Sequence, residues 1–331
     1  MPKQKNIRDG QLLAVAAQVS AWEARMISPE RLARMISGGD FREAARIASE
    51  CGYPDMSDMD AFRIDEALSA RRAQIFLELG ESEAAPLLDI FRLKYDYHNV
   101  KCLVKAYGAD EDAARIMSHS GRVAPEKMAE AFLLRDTAEL PGLLGTALSD
   151  GLEILSSTGN PQLADASADR FQFREMLALC AQSGVAVLPG YTRLMIDVAN
   201  LRTIVRARRV LDAYSLVPEL IIPGGNADTA SVLSLLNAPS AAAQIFSAPE
   251  LQPAALLAES AMSGGGLTAF ELALGGAVYS YIEPYRYVAF GAAAVIWYLI
   301  ALDWELTALR VALIGLRAGV PAHTLEERTK R

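Results

Sequence analysis

A chain of 331 residues is longer than one compact domain of about 100–200 residues, so two or three units are expected. With 52% hydrophobic, 22% charged and 7% aromatic residues it is globular rather than disordered. Its 40 Asp and Glu against 32 Lys and Arg, a net charge of -8, exclude the broad basic surface on which nucleic-acid binding depends.

Apolar runs along the chain have helical spacing and none alternates in the manner of a strand, which predicts an all-α protein. The polar start MPKQKNIRDG runs into a helical pattern without the apolar stretch of a secretory signal. Ser28-Pro29-Glu30 announces a helix, with proline at the first helical position and an acid next to it; Gly38-Gly39 and Gly52-Tyr53-Pro54 then interrupt the helical pattern. The run DMSDMDAFRIDE from Asp55 alternates acids but lacks the central glycine and the final glutamate of a calcium loop, so Asp58 or Asp60 is expected to cap the next helix.

The stretch LKYDYHNVKCLVKA, from Leu93 to Ala106, places Asp96 and Asn99 on the stripe shared with Val100 and Leu103, where apolar side chains belong. Ala124-Pro125-Glu126 opens another helix, and Pro141-Gly142 and Pro223-Gly224-Gly225-Asn226 break the pattern again. The alanine-rich stretch from Ala238 to Ala261, followed by Gly264-Gly265-Gly266, is expected to loosen the last third of the chain. Tyr287 to Leu302 has 16 residues without a charge; a membrane-crossing helix needs about 20, so the segment reads as a buried core helix.

The polar stripe recurs. LKYDYHNVKCLVK (93–105) aligns without gaps with LMIDVANLRTIVR (194–206), pairing Asp96 with Asp197, Asn99 with Asn200 and Lys101 with Arg202. A weaker third copy, LDWELTALRVAL (302–313), has Glu305 for the Asp, Ala308 for the Asn, and Arg310 at the basic position. A period near 100 residues is too long for a solenoid and implies three homologous helical domains, 1–107, 108–213 and 214–331, with interleaved boundaries. The acid and amide of each copy are expected to hydrogen-bond a neighbouring helix and fix its register, since one acid and one amide are too few ligands for a cation.

Catalytic, cofactor and metal sites are not expected. His98, His119 and His323 form no metal-ligand spacing, and the glycine triplet has no strand ahead of it and no phosphate-loop pattern. Cys51, Cys102 and Cys180 contain no CxxC pair and read as buried, reduced thiols of an intracellular protein.

Four segments together carry a likeness: Leu93 to Lys101, the Ile222-Pro223-Gly224-Gly225 turn, Trp22 to Ser28, and Leu316-Arg317-Ala318-Gly319-Val320-Pro321. In order and spacing they resemble the C subunits of the archaeal and bacterial V-type rotary ATPases, whose eukaryotic equivalent is the d subunit, over almost the whole chain. That resemblance implies a funnel of three bundles around a pseudo-threefold axis. It also implies a peripheral place on the cytoplasmic face of the membrane and no enzymatic activity of its own. The partners it implies are the D and F subunits of the central shaft and the membrane proteolipid ring, with one copy per complex and a monomer in isolation. A generic helical scaffold would share the composition and the period but would have no affinity for ring or shaft.

Overall fold

The computed structural model describes residues 7–109, 113–114, 116–209 and 215–330. Among these there is no strand, and the α-helices are, in chain order, α1 (Leu13–Glu23), α2 (Pro29–Ser37), α3 (Phe41–Glu50), α4 (Ala61–Gly80), α5 (Ala85–Ala109), α6 (Pro125–Leu133), α7 (Leu144–Thr158), α8 (Pro161–Ser183), α9 (Val187–Arg208), α10 (Val217–Leu220), α11 (Thr229–Ser234), α12 (Ala242–Ile245), α13 (Gln252–Met262), α14 (Leu267–Ile282), α15 (Ala292–Arg317) and α16 (Ala322–Thr329). Helix starts obey the local chemistry of the chain. Ser28 Oγ accepts the Arg31 N–H ahead of Pro29, and Asp60, not Asp58, caps α4 by accepting the Arg63 N–H at 2.8 Å. Gly159 and Gly184 end α7 and α8 with φ of 65° and 71°, a left-handed turn that other residues enter at a cost.

The chain divides into two compact units, residues 89–281 and residues 7–88 with 282–330. In the first, α9 lies against α8 and α13, and a core including Leu201, Ile204, Phe246, Leu251 and Phe270 closes over it. The alanine-rich stretch is tightly packed rather than loose: Ala254, Ala255, Ala258 and Ala261 are all buried. Small side chains let backbones approach closely, so low side-chain bulk signals dense packing here.

In the second unit, α15 runs through the middle and is contacted by α1, α2, α3, α4 and α16. Two long-range bonds fix its first turns, from Ala292 N–H to Asp9 Oδ1 (3.0 Å) and from Trp297 Nε1–H to Glu23 (2.7 Å). The expected core helix from Tyr287 starts later than its composition suggests. Residues 287–291 lie outside α15, and Gly291 at φ 82° turns the chain into the helix. No helix among the described residues is long and apolar enough to cross a membrane.

Candidate functional site: three pinned helices

Asp96 and Asn99 are fully buried on α5, and both bond to the backbone of one loop rather than to a neighbouring helix. Asn99 holds Ser118 in both directions, its Nδ2–H donating to the Ser118 carbonyl (2.9 Å) and its Oδ1 accepting the Ser118 N–H (2.7 Å). Asp96 accepts the N–H groups of Arg122 (2.8 Å) and Val123 (3.2 Å). A loop is the natural partner because helix-interior N–H groups are already bonded, whereas those approaching a helix start are free to be claimed.

The same geometry stands on α9. Asn200 exchanges both bonds with Ile222 at 2.8 Å, and Asp197 accepts the N–H groups of Asn226 (3.0 Å) and Ala227 (3.2 Å). SHSGRV (118–123) and IPGGNA (222–227) are thus two versions of one six-residue loop. In each, the fourth residue is a glycine lying against the aspartate, Gly121 on Asp96 and Gly225 on Asp197, where a Cβ would collide with the carboxylate.

On α15 the pin is shorter. Glu305 is buried and accepts the Ile27 N–H (2.5 Å) and the Tyr53 hydroxyl (2.8 Å). Val123, Ala227 and Ile27 each stand two residues before a helix start, at Pro125, Thr229 and Pro29, so the same backbone donor is used three times. The Asn of the first two copies meets a residue five positions before that donor; in the third copy this is Trp22, still inside α1, with its carbonyl accepting the Arg25 N–H (3.0 Å). No open loop awaits an amide there, and Ala308 is buried in its place.

The basic residue of each copy pairs with an acid on a second long helix. Lys101 meets Asp169 of α8 (2.5 Å), Arg202 meets Glu271 of α14 (2.9 Å), and Arg310 meets Asp65 of α4. One turn on, Lys105 pairs with Asp165 (3.1 Å) and Arg206 with Glu271 (2.8 Å), whereas the third copy has Ile314.

Around these common bonds the copies differ in charge. The Arg122 side chain bridges Asp96 (2.6 Å) and Glu175 of α8 (2.8 Å), and Glu175 also accepts the Tyr97 hydroxyl (2.7 Å) and the Leu143 N–H (3.2 Å). Asp197 has the neutral Asn226 amide at 2.8 Å in place of that arginine. Burial pushes both aspartates up, against the pull of Arg122 in one case and of Asn226 and the loop N–H groups in the other. Burial, with the neighbouring glutamate adding to it, also raises the Tyr97 and Tyr53 phenols, which stay protonated and able to donate.

None of this gathers a nucleophile and base. Among the described residues no three His, Cys, Asp or Glu side chains are grouped to hold a metal ion, the three histidines are exposed, and the three cysteines are buried free thiols. The partners Arg122, Glu175, Asp65, Asp169 and Glu271 escaped sequence reasoning, though a repeat comparison of the helices preceding each pinned helix had an acid to offer.

Among the described residues the arrangement is all-helical and uses one pinned-helix device three times. Over residues 15–328 the chain matches the ATP synthase (C/AC39) subunit family, and it belongs to that family. It is 26% identical to the C subunit of the A-type ATP synthase of Methanothermobacter thermautotrophicus over 226 residues, 63% of this chain and 57% of that protein. Identity to the C subunit of the V-type sodium ATPase of Enterococcus hirae is 24% over 315 residues, 93% of this chain and 95% of that protein. The C subunit of the A-type ATP synthase of Thermococcus kodakarensis is 22% identical over 232 residues, 66% of this chain and 63% of that protein. The chain therefore spans less than two thirds of the length of these two archaeal relatives and nearly all of the Enterococcus one.

Proposed function

We propose that this chain is the rotor adaptor of a V-type or A-type rotary ATPase. In this reading it is non-catalytic, monomeric in isolation and present once per complex. It joins the shaft of D and F subunits to the proteolipid ring at the cytoplasmic face of the membrane, so that torque passes between ATP chemistry and H+ or Na+ transport. Family membership over residues 15–328 carries the reading. The pins lend it physical sense, because a part that transmits torque must not yield at its joints, and buried, fully bonded polar groups in a dense core resist sliding.

The same reading takes the molecule as three homologous bundles around a pseudo-threefold axis, arranged as a funnel. Residues 1–107, 108–213 and 214–331 would each supply one pinned helix, α5, α9 and α15, and exchange the remaining elements across those limits. The threefold use of one backbone donor, at Val123, Ala227 and Ile27, supports this.

Capture tests the proposal. The purified chain should be retained by a detergent-solubilised proteolipid ring, and should recruit the D and F subunits onto it, while showing no ATP turnover by itself. Failure of capture by the ring, or steady ATP hydrolysis by the clean chain, would reject it.

A further inference from the structure

We propose that the connector between α14 and α15 is a membrane-interface anchor that lays Tyr287, Val288 and Phe290 into the headgroup boundary of a lipid bilayer. This rests on the reading of the chain as a subunit seated at a membrane. The connectors between successive long helices differ sharply. Four residues, 81–84, join α4 to α5, three, 184–186, join α8 to α9, and neither connector exposes a large hydrophobic side chain. Nine residues, 283–291, join α14 to α15, and they leave Tyr287 82%, Phe290 60% and Val288 38% exposed.

The exposed side chains stand on a braced base. Glu283–Tyr287 form a short 3-10 helix, and the Val288 N–H donates to the Tyr285 carbonyl (3.1 Å). The Arg286 guanidinium lies over the Trp297 ring (5.9 Å) and 3.9 Å from Glu23, while Asp9 holds the Ala292 N–H. Apolar groups on such a support cannot fold back to cover themselves, and each stays exposed to water at a cost that burial would remove.

The size of the patch chooses the occupant. A specific protein interface takes about 20–30 residues a side, so three side chains on one connector are too few to hold a protein partner alone. A bilayer boundary requires no complementary surface. It accepts aromatic rings and places a phenol at headgroup level. The net charge of -8 gives no general attraction to anionic lipid, so the contact is one of apolar insertion and should tolerate salt.

Phosphatidylcholine vesicles provide the test, with the full chain carrying Y287W as reporter. On adding vesicles, the emission of Y287W relative to wild type should shift to the blue and be quenched by brominated phosphatidylcholine, with no loss in high salt. A Y287S/F290S variant that melts like wild type should float with vesicles about fivefold less. Unchanged Y287W emission, or flotation of the double variant equal to wild type, overturns the anchor. Ring capture in detergent is the separating arm. The double variant should be captured as wild type is; if it is not, the patch faces proteolipid protein and the lipid inference falls. A wild-type chain that floats but is not captured would instead reject the adaptor reading.

Discussion

Gly225 lies against Asp197 with no room for a methyl group between them, and Gly121 stands in the same relation to Asp96. Neither glycine has a left-handed backbone, so what excludes a side chain is the carboxylate itself. Gly225→Ala and Gly121→Ala should each cost about 1–3 kcal/mol by forcing the loop off its pin. Denaturant midpoints measure this, and wild-type midpoints would show that the loop moves freely.

The Arg122 bridge should be the most sensitive of the three joints. Arg122→Met leaves Asp96 and Glu175 buried without their cation, a loss of about 3–5 kcal/mol. Asn226→Ala removes only a neutral donor from Asp197 and should cost about 1–2 kcal/mol. Equal losses for the two variants in urea melts would refute the contrast in charge.

Asn99→Ala and Asn200→Ala each orphan a backbone N–H and carbonyl at Ser118 or Ile222, for about 1–3 kcal/mol. Ala308→Asn, the change that would complete the third copy in sequence, should destabilise rather than stabilise, since the backbone at Trp22 is already helical. A rise in melting temperature for Ala308→Asn would contradict the account of the third pin.

Glu271 gives a pH dependence of known sign. Burial pushes its carboxyl up, but Arg202 and Arg206 outweigh burial and hold it below the ordinary 4.5. A depressed carboxylate stabilises the fold above its unfolded value, and that contribution is lost as the pH falls through the folded value. Glu271→Gln should therefore be less stable than wild type at pH 7 by about 0.5–1 kcal/mol, allowing for partial exposure and screening. Melts repeated from pH 7 to below pH 4.5 should show the gap closing; a gap that widens in acid would reverse the assignment.

Burial pushes the Cys180 thiol up to about 11, beside the Thr192 hydroxyl at 3.2 Å, and Cys51 and Cys102 are buried too. Thiolate is the reactive form, so a disulfide reagent at pH 8 should modify the three thiols only in step with unfolding. Rapid labelling of the native chain would show that the interior opens.

The buried polar stripe was legible because Asp96 and Asn99 interrupt an apolar period, and the likeness of 93–105 to 194–206 gave the second copy. The partners were not. Which N–H groups come back to an aspartate depends on where a loop returns, and no local pattern tells Arg122 from Asn226 or ties Arg310 to Asp65, 245 residues away. The third copy looks weak for a physical reason: a glutamate with its extra methylene reaches Ile27 and Tyr53 where there is no second loop to hold. Composition also misplaced the start of α15, because Tyr287 and Phe290 are as apolar as any core residue and only Gly291 marks the turn between exposed connector and buried helix.

The bond from Ile27 to Glu305 spans 278 residues of chain. At about 5–20 residues per second, a ribosome delivers the glutamate roughly 15–60 s after the isoleucine. During translation, then, residues 7–88 wait with their central helix missing while α5 through α9 are already in hand, and it is the early-born part of the molecule that has most need of a chaperone.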